Sequence, residues 1–540
     1  MAPADLVLRD GSIYTVDAVR SWAHALAVRE GRIVYVGTES GVVPYIGAET
    51  EVLELKGRTV LPSFQDVHIH PVTSGTVAAG FCDLSGVSTR EEYLALIAEY
   101  AAERPDVEWI RGEGWSMDVF PAGVPDKQSL DGIVPDRPVY LGSSDGHSAW
   151  VNSKALDIAG ITSDTPDPAD GRIDRDPVTG EPVGGLQEGA MNLVQPPQYT
   201  ADELDAGLRY ALKMLHGYGV TAFQEASADR EVLETYRRLD EAGDLSAHVV
   251  AALWWERERG EEQIPELIAK REEFSAGNRR ATTVKIMQDG VMENHTAALL
   301  EPYQGKPGGT GISFVEPGAL KRIVTRLDAA GFQVHFHAIG DAAIRQALDA
   351  VEAARTQNGE RANRHHISHL QLFDPVDIGR FRELGVVANF QPLWAYADGY
   401  ITDLTIPFLG PERSRWLYPI GSLVRSGAIV AFGSDWSVSS ANPFEAMEVA
   451  ITRMGPDGES DAPFLPGERI DLPTALAAFT IKAAYVNGID DATGSIEVGK
   501  LADLIVLDRN PFEVPPAEIS EIEVLLTLFA GAPVHGDLLH

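Results

Sequence analysis

The chain has 540 residues, 44% hydrophobic and 23% charged, a globular balance with apolar material for a large core and more length than one small domain needs. Its formal net charge of -36, from 44 Lys and Arg against 80 Asp and Glu, argues against nucleic acid or anionic membrane as partners and reads as a solvated surface. Cys82 is the single cysteine, so any metal must be held by histidine, carboxylate or a modified lysine rather than by a thiolate cluster, and no intramolecular disulfide can form.

The N-terminal segment lacks the basic start and apolar stretch of a signal peptide, and no apolar run approaches the roughly 18 residues of a membrane span. A cytoplasmic protein is expected. Segments 5–9, 25–28, 32–36 and 51–55 read as short strands separated by Gly- and Asp-containing turns. Two more strand signals, 499–508 and 523–529, stand near the C-terminus. The two ends are expected to pair into a small β-sandwich domain, 1–60 plus 489–540, with the main domain, 61–488, set between them. In that middle part, apolar runs at 58–68, 219–224, 247–255, 283–289, 332–337, 366–370, 386–391 and 429–435 alternate with helical stretches such as 317–330 and 341–354. Eight strand–helix units predict a parallel (β/α)8 barrel of about 250 residues plus insertions. The long stretch between His70 and Tyr218 exceeds one barrel helix, so an insertion is placed at about 75–210.

His68 and His70 are spaced i, i+2 at a strand end, which puts both imidazoles on one face. Alone the pair is a weak pattern. It gains weight because Lys285, His335, His337, His369 and Asp435 also lie at ends of predicted strands. In a parallel barrel those ends converge on one mouth, where active sites form, and histidines with a carboxylate make a first shell suited to Zn²⁺. One of His335 and His337 reads as a core residue. A buried Lys285 between Val284 and Ile286 is hard to explain as core, because desolvating an ammonium is costly; a neutral or carboxylated lysine avoids the penalty.

At this point the sequence resembles the amidohydrolase superfamily, in the branch that includes N-substituted formamide deformylases. The resemblance covers nearly the whole chain. It is carried by Leu61-Pro-Ser-Phe-Gln-Asp-Val-His-Ile-His-Pro71, Asp145-Gly-His-Ser-Ala-Trp-Val-Asn-Ser153, Val284-Lys-Ile-Met-Gln-Asp-Gly290, His337-Ala-Ile-Gly-Asp341, His369-Leu-Gln-Leu372, Gly433-Ser-Asp-Trp436 and Gly494-Ser-Ile-Glu-Val-Gly-Lys-Leu-Ala-Asp-Leu504. It implies a distorted (β/α)8 barrel with a β-sandwich from both chain ends. It also implies metal-ligand roles for His68, His70, His337, His369 and Asp435, with Lys285, if carboxylated, bridging two ions. His335 lies two residues before the matching position and drops out as a ligand. Where the family often has Glu before the sixth-strand histidine this chain has Ser368, which is expected to alter the support of His369.

The expected activity is hydrolysis of an amide, formamide or cyclic amide bond in a small molecule, with one or two divalent ions, Zn²⁺ first. Asp435 takes a proton from the attacking water and returns it to the leaving nitrogen. Trp115, His147, Asn294, His295 and Trp394 are the candidate substrate-binding residues, and a homodimer is the expected assembly. Two rivals share the barrel: a metal-dependent isomerase or decarboxylase, and a non-catalytic metal-binding barrel. A third is a serine hydrolase, because Gly142-Ser-Ser-Asp-Gly146 matches the Gly-x-Ser-x-Gly elbow.

Overall fold

The computed structural model describes residues 2–306, 308–458, 460 and 462–537. Positions 538–540, the end of the expected C-terminal segment, lie outside them. Eight parallel strands form one sheet in chain order: β1 (Phe64–Ile69), β2 (Val220–Ala228), β3 (His248–Trp254), β4 (Arg279–Met287), β5 (Gln333–Ala338), β6 (His366–His369), β7 (Val387–Phe390) and β8 (Val430–Phe432). Main-chain bonds beyond the last strand close the ring at its mouth. Asp435 N–H donates to the His68 carbonyl (2.7 Å) and His70 N–H to the Trp436 carbonyl (3.2 Å). Gly433 permits this seam, since a Cβ there would stand 2.7 Å from His68 N.

The period-two alternation of β5 shows how the barrel is built. Val334 and Phe336 join the large hydrophobic cluster that also contains Leu327 of helix Pro317–Ala329 and Val351 of helix Asp341–Asn358. Gln333, His335 and His337 alternate with them, and all three are buried. In register, Lys285 pairs with His335 and His335 with His366, while Met287 pairs with His337 and His337 with Ser368. The barrel interior is therefore layered with polar side chains where such barrels usually carry Val, Ile and Leu.

The first predicted strand, 58–68, is in fact two. Thr59–Pro62 belongs to a terminal sheet and β1 to the barrel. The chain changes sheets at Ser63, whose N–H donates to the Asp503 carbonyl, while Phe64 N–H donates to the Gly219 carbonyl. The terminal six-stranded sheet pairs Val60 with Val506, so both chain ends enter it. A four-stranded sheet of N-terminal strands shares its core, with Leu8, Leu26 and Leu53 against Val60, Val506 and Leu528.

Between β1 and β2 lies a further six-stranded sheet, including Ile110–Trp115, Val139–Ser143, Ser148–Val151 and Pro182–Glu188. Of these, the second falls on a short apolar run in the sequence, Val139-Tyr-Leu141. This sheet also removes the serine-hydrolase reading. Gly142–Gly146 spans the turn of an antiparallel hairpin, whereas a nucleophile elbow needs a strand entering a helix.

Candidate metal centre

The C-terminal strand ends bring His68, His70, Lys285, His337, His369 and Asp435 to one place. Among the described residues, His68, His70 and Asp435 offer donor atoms that all lie within 4.8 Å of one another. Asp435 Oδ1 stands 3.3 Å from His68 Nε2 and 3.2 Å from His70 Nε2. Its Oδ2 lies 3.8 Å from His369 Nδ1, and Lys285 Nζ lies 3.5 Å from His68 Nε2. The rings of His337 and His369 have centroids 4.5 Å apart.

Backbone conformation as well as strand register aims these groups. Ser368 faces the barrel interior, so an ideal strand would turn its neighbour His369 outward. A left-handed φ of 79° at His369, followed by 55° at Leu370, brings the imidazole back against His68 and His337. Asp435 also sits outside its strand, at φ 56°. Three non-glycine residues held in this region are the kind of strain that clusters at functional sites.

Each imidazole is oriented from behind. Asp289, wholly buried, accepts from His337 Nδ1 (3.2 Å) and from the main-chain N–H groups of Ile339, Gly340 and Ala298. Gln391 Oε1 lies 2.9 Å from His369 Nδ1. Glu225 lies 3.6 Å from His70 Nδ1 and accepts from the Tyr236 hydroxyl. His68 Nδ1 faces His335 Nε2 at 2.8 Å. Support of metal-ligating histidines through the second ring nitrogen is the usual device for presenting the first one. Ser368 does not support His369; it bonds His335 and Asn389, and Gln391 stands at His369 instead.

The electrostatics of the group favour a cation. Burial and the nearby Lys285 push His68 down to about 3, leaving a neutral imidazole with a free lone pair. Burial opposes a charged His70, yet the carboxylates of Asp435 and Glu225 beside it push it up to about 9, so this point attracts positive charge. Burial would raise Asp435, but His68 and His70 hold it ionised well below the ordinary carboxylate range. Its Oδ1 is buried and takes no hydrogen bond. A divalent ion fits this set of two imidazole nitrogens and a carboxylate oxygen.

The five expected substrate contacts divide. Trp394 stacks on His369, with centroids 5.5 Å apart and planes 6° from parallel, and its Nε1 donates to Ser439 Oγ. His147 lies beside His337, ring centroids 5.3 Å apart, with its Nδ1 2.9 Å from Glu188 Oε2. Asn294 is buried and donates towards Ser148 Oγ and the His147 carbonyl, tying the loop after β4 to the inserted sheet. His295 packs on Tyr303 and Phe408 and takes a bond from Lys306 Nζ. Trp115 is the correction. Its indole is fully buried with Phe120 and Trp150 in the core of the inserted sheet, and its N–H goes to the Leu141 carbonyl. It cannot contact substrate from there.

Sequence reading missed Asp289, Gln391, Glu225 and Glu188. Asp289 and Gln391 lie within or beside strands already singled out, and a polar residue at a barrel strand's end was a usable signal. Glu188 ends the strand Pro182–Glu188, which the sequence pattern did not disclose.

A profile of the amidohydrolase family matches residues 51–535. The protein LONG AFTER FAR-RED 3 of Arabidopsis thaliana is 32% identical, over 98% of this chain and 92% of its own length. An N-substituted formamide deformylase of Arthrobacter pascens is 29% identical, over 98% of this chain and 97% of its own. The crystal structure of an uncharacterized metal-dependent hydrolase from Pyrococcus furiosus superposes with a TM-score of 0.72 at 27% identity, covering 94% of this chain and 100% of that one.

Proposed function

The chain belongs to the amidohydrolase family, and from that premise we propose that it hydrolyses a carbon–nitrogen bond in a small molecule, with a divalent metal held by His68, His70 and Asp435. The observation that carries this reading is Asp435 Oδ1, buried, without a hydrogen bond and within 3.3 Å of two imidazole nitrogens. The nitrogen and oxygen donors suit Zn²⁺. When bound, such an ion supplies Lewis acidity, lowering the pKa of water from 15.7 to about 7 and polarising a carbonyl.

The protein's own groups do the rest. Asp435, held ionised, has Oδ2 to accept a proton from the attacking water and to pass it to the leaving nitrogen, the bond to carbon breaking as that proton arrives. The products are a carboxylic acid and an amine. His147, braced by Glu188, presents its Nε2 beside His337 as a contact for the substrate's polar end. Trp394 offers a flat apolar wall over His369, which suits an aryl or alkyl substituent. The relative from Arthrobacter pascens, by its name, acts on N-substituted formamides, and the same class heads the substrates to be tried.

Lys285 extends the site. Burial pushes its amine down to about 7, so a neutral amine is available to add carbon dioxide and release a proton, giving a carbamate. In that form it would join His337 and His369 in holding a second ion. The test of the reading is Asp435→Asn, assayed on amide, formamide and cyclic-amide substrates with metal content measured alongside. Turnover should vanish while metal is retained. Retained turnover would remove Asp435 as the proton carrier.

A further inference from the structure

Beneath the metal centre the barrel interior holds a continuous run of polar side chains that the proposed reaction does not use. Gln333 Oε1 takes bonds from Thr283 Oγ1 (2.7 Å) and Gln224 Nε2 (3.1 Å). Gln224 Oε1 lies 3.0 Å from His366 Nε2, and Asn389 Nδ2 bridges His366 Nδ1 (3.3 Å) and Ser368 Oγ (2.8 Å). Ser368 Oγ lies 2.8 Å from His335 Nε2, which lies 2.8 Å from His68 Nδ1. His68, His335, His366, Ser368 and Asn389 are all buried, at 1% exposure or less.

We propose that His335 is a positioning residue for the metal centre, fixing His68 with its proton on Nδ1 and its Nε2 lone pair facing the ion. The inference rests on the metal-site reading above. A neutral imidazole presents a lone pair at one nitrogen only, so the second nitrogen must carry the proton and find an acceptor. His68 is buried, and His335 Nε2 lies 2.8 Å from its Nδ1, placed to accept that proton. For His335 to accept there, its own proton must sit on Nδ1, an atom that is buried and has no partner. A buried imidazole with one ring nitrogen left without a partner is an unfavourable choice for a purely structural position, where an aliphatic side chain would fill the space. The arrangement is accounted for when its gain is realised at His68. Ser368 Oγ lies 2.8 Å from the same Nε2 and takes a bond from Asn389, so the network reaches back through His366 to Gln224 and Gln333.

The test compares His335→Phe, which keeps a ring but no acceptor, with His335→Gln, which keeps a side-chain oxygen. Zinc affinity of the full-length, metal-stripped protein is measured by competition with a chelator, with thermal unfolding as a check on folding. The Phe variant should bind zinc about 10–100-fold more weakly, and the Gln variant should recover most of that loss. Equal zinc affinity in the parent and the Phe variant, or equal losses in both variants, would overturn the proposal. A second measurement needs no variant. In zinc-loaded protein labelled with ¹⁵N-histidine, the His68 ring should be protonated at Nδ1 and metal-bound at Nε2, and the opposite pattern would overturn it. A parent that binds no zinc would instead sink the metal reading itself, which separates the two failures.

Discussion

Removing the carboxylate of Asp289 should damage both stability and metal binding, by amounts that follow from its contacts. Three main-chain N–H groups end on it, from Ala298 (2.9 Å), Ile339 (3.0 Å) and Gly340 (2.9 Å), and His337 Nδ1 makes a fourth contact at 3.2 Å. In Asp289→Ala each orphaned donor costs about 1–3 kcal/mol, or about 3–9 kcal/mol for three. Burial pushes the Asp289 carboxyl up to about 7, so part of its favourable bonding is already offset by desolvation in the parent. Water entering the vacated space would satisfy some donors. The lower end, about 3 kcal/mol, is the expected loss, a large share of a typical total of about 5–15 kcal/mol. His337 also loses its acceptor, which should weaken zinc binding about 10–100-fold. The assay is urea unfolding of metal-free protein followed by circular dichroism, with a zinc titration of the folded variant. Asp289→Asn should fall between, because its amide group would face two of the donors. An Asp289→Ala protein matching the parent in both measurements would refute the reasoning.

Two more outcomes follow from the site. His147→Phe keeps the ring volume but loses the nitrogen, and should lower kcat about 10²-fold with metal content unchanged; loss of metal in step with activity would assign His147 a ligand's role instead. Lys285→Arg cannot form a carbamate, so it should lower the metal bound per chain; in the parent, growth with ¹³C-bicarbonate should give a carbamate signal that acid treatment removes.

The barrel is legible in the sequence because its strands are short apolar runs separated by amphipathic helices. Most strand limits move by only a few residues, as for 332–337 against Gln333–Ala338. The inserted sheet was illegible for the same physical reason in reverse. Its strands are broken up by glycines at positions such as Gly112, Gly184 and Gly185, and their pairing is set by distant partners rather than local pattern. Trp115 was misjudged because an aromatic residue in an insertion looks the same whether it packs inward or faces a ligand. The ligand set was legible since each residue is a chemically costly choice at a strand end. The groups behind it were not. That Asp289 rather than Glu225 supports His337, or that Ser368 serves His335 and not His369, depends on register and on the left-handed turn at His369.

The central claim is a metal ion between His68, His70 and Asp435. It is tested most directly by diffraction from crystals of the purified, active enzyme on either side of the zinc absorption edge. The account predicts an anomalous peak bounded by His68 Nε2, His70 Nε2 and Asp435 Oδ1 that disappears below the edge. Active crystals with no metal peak at that position would contradict it.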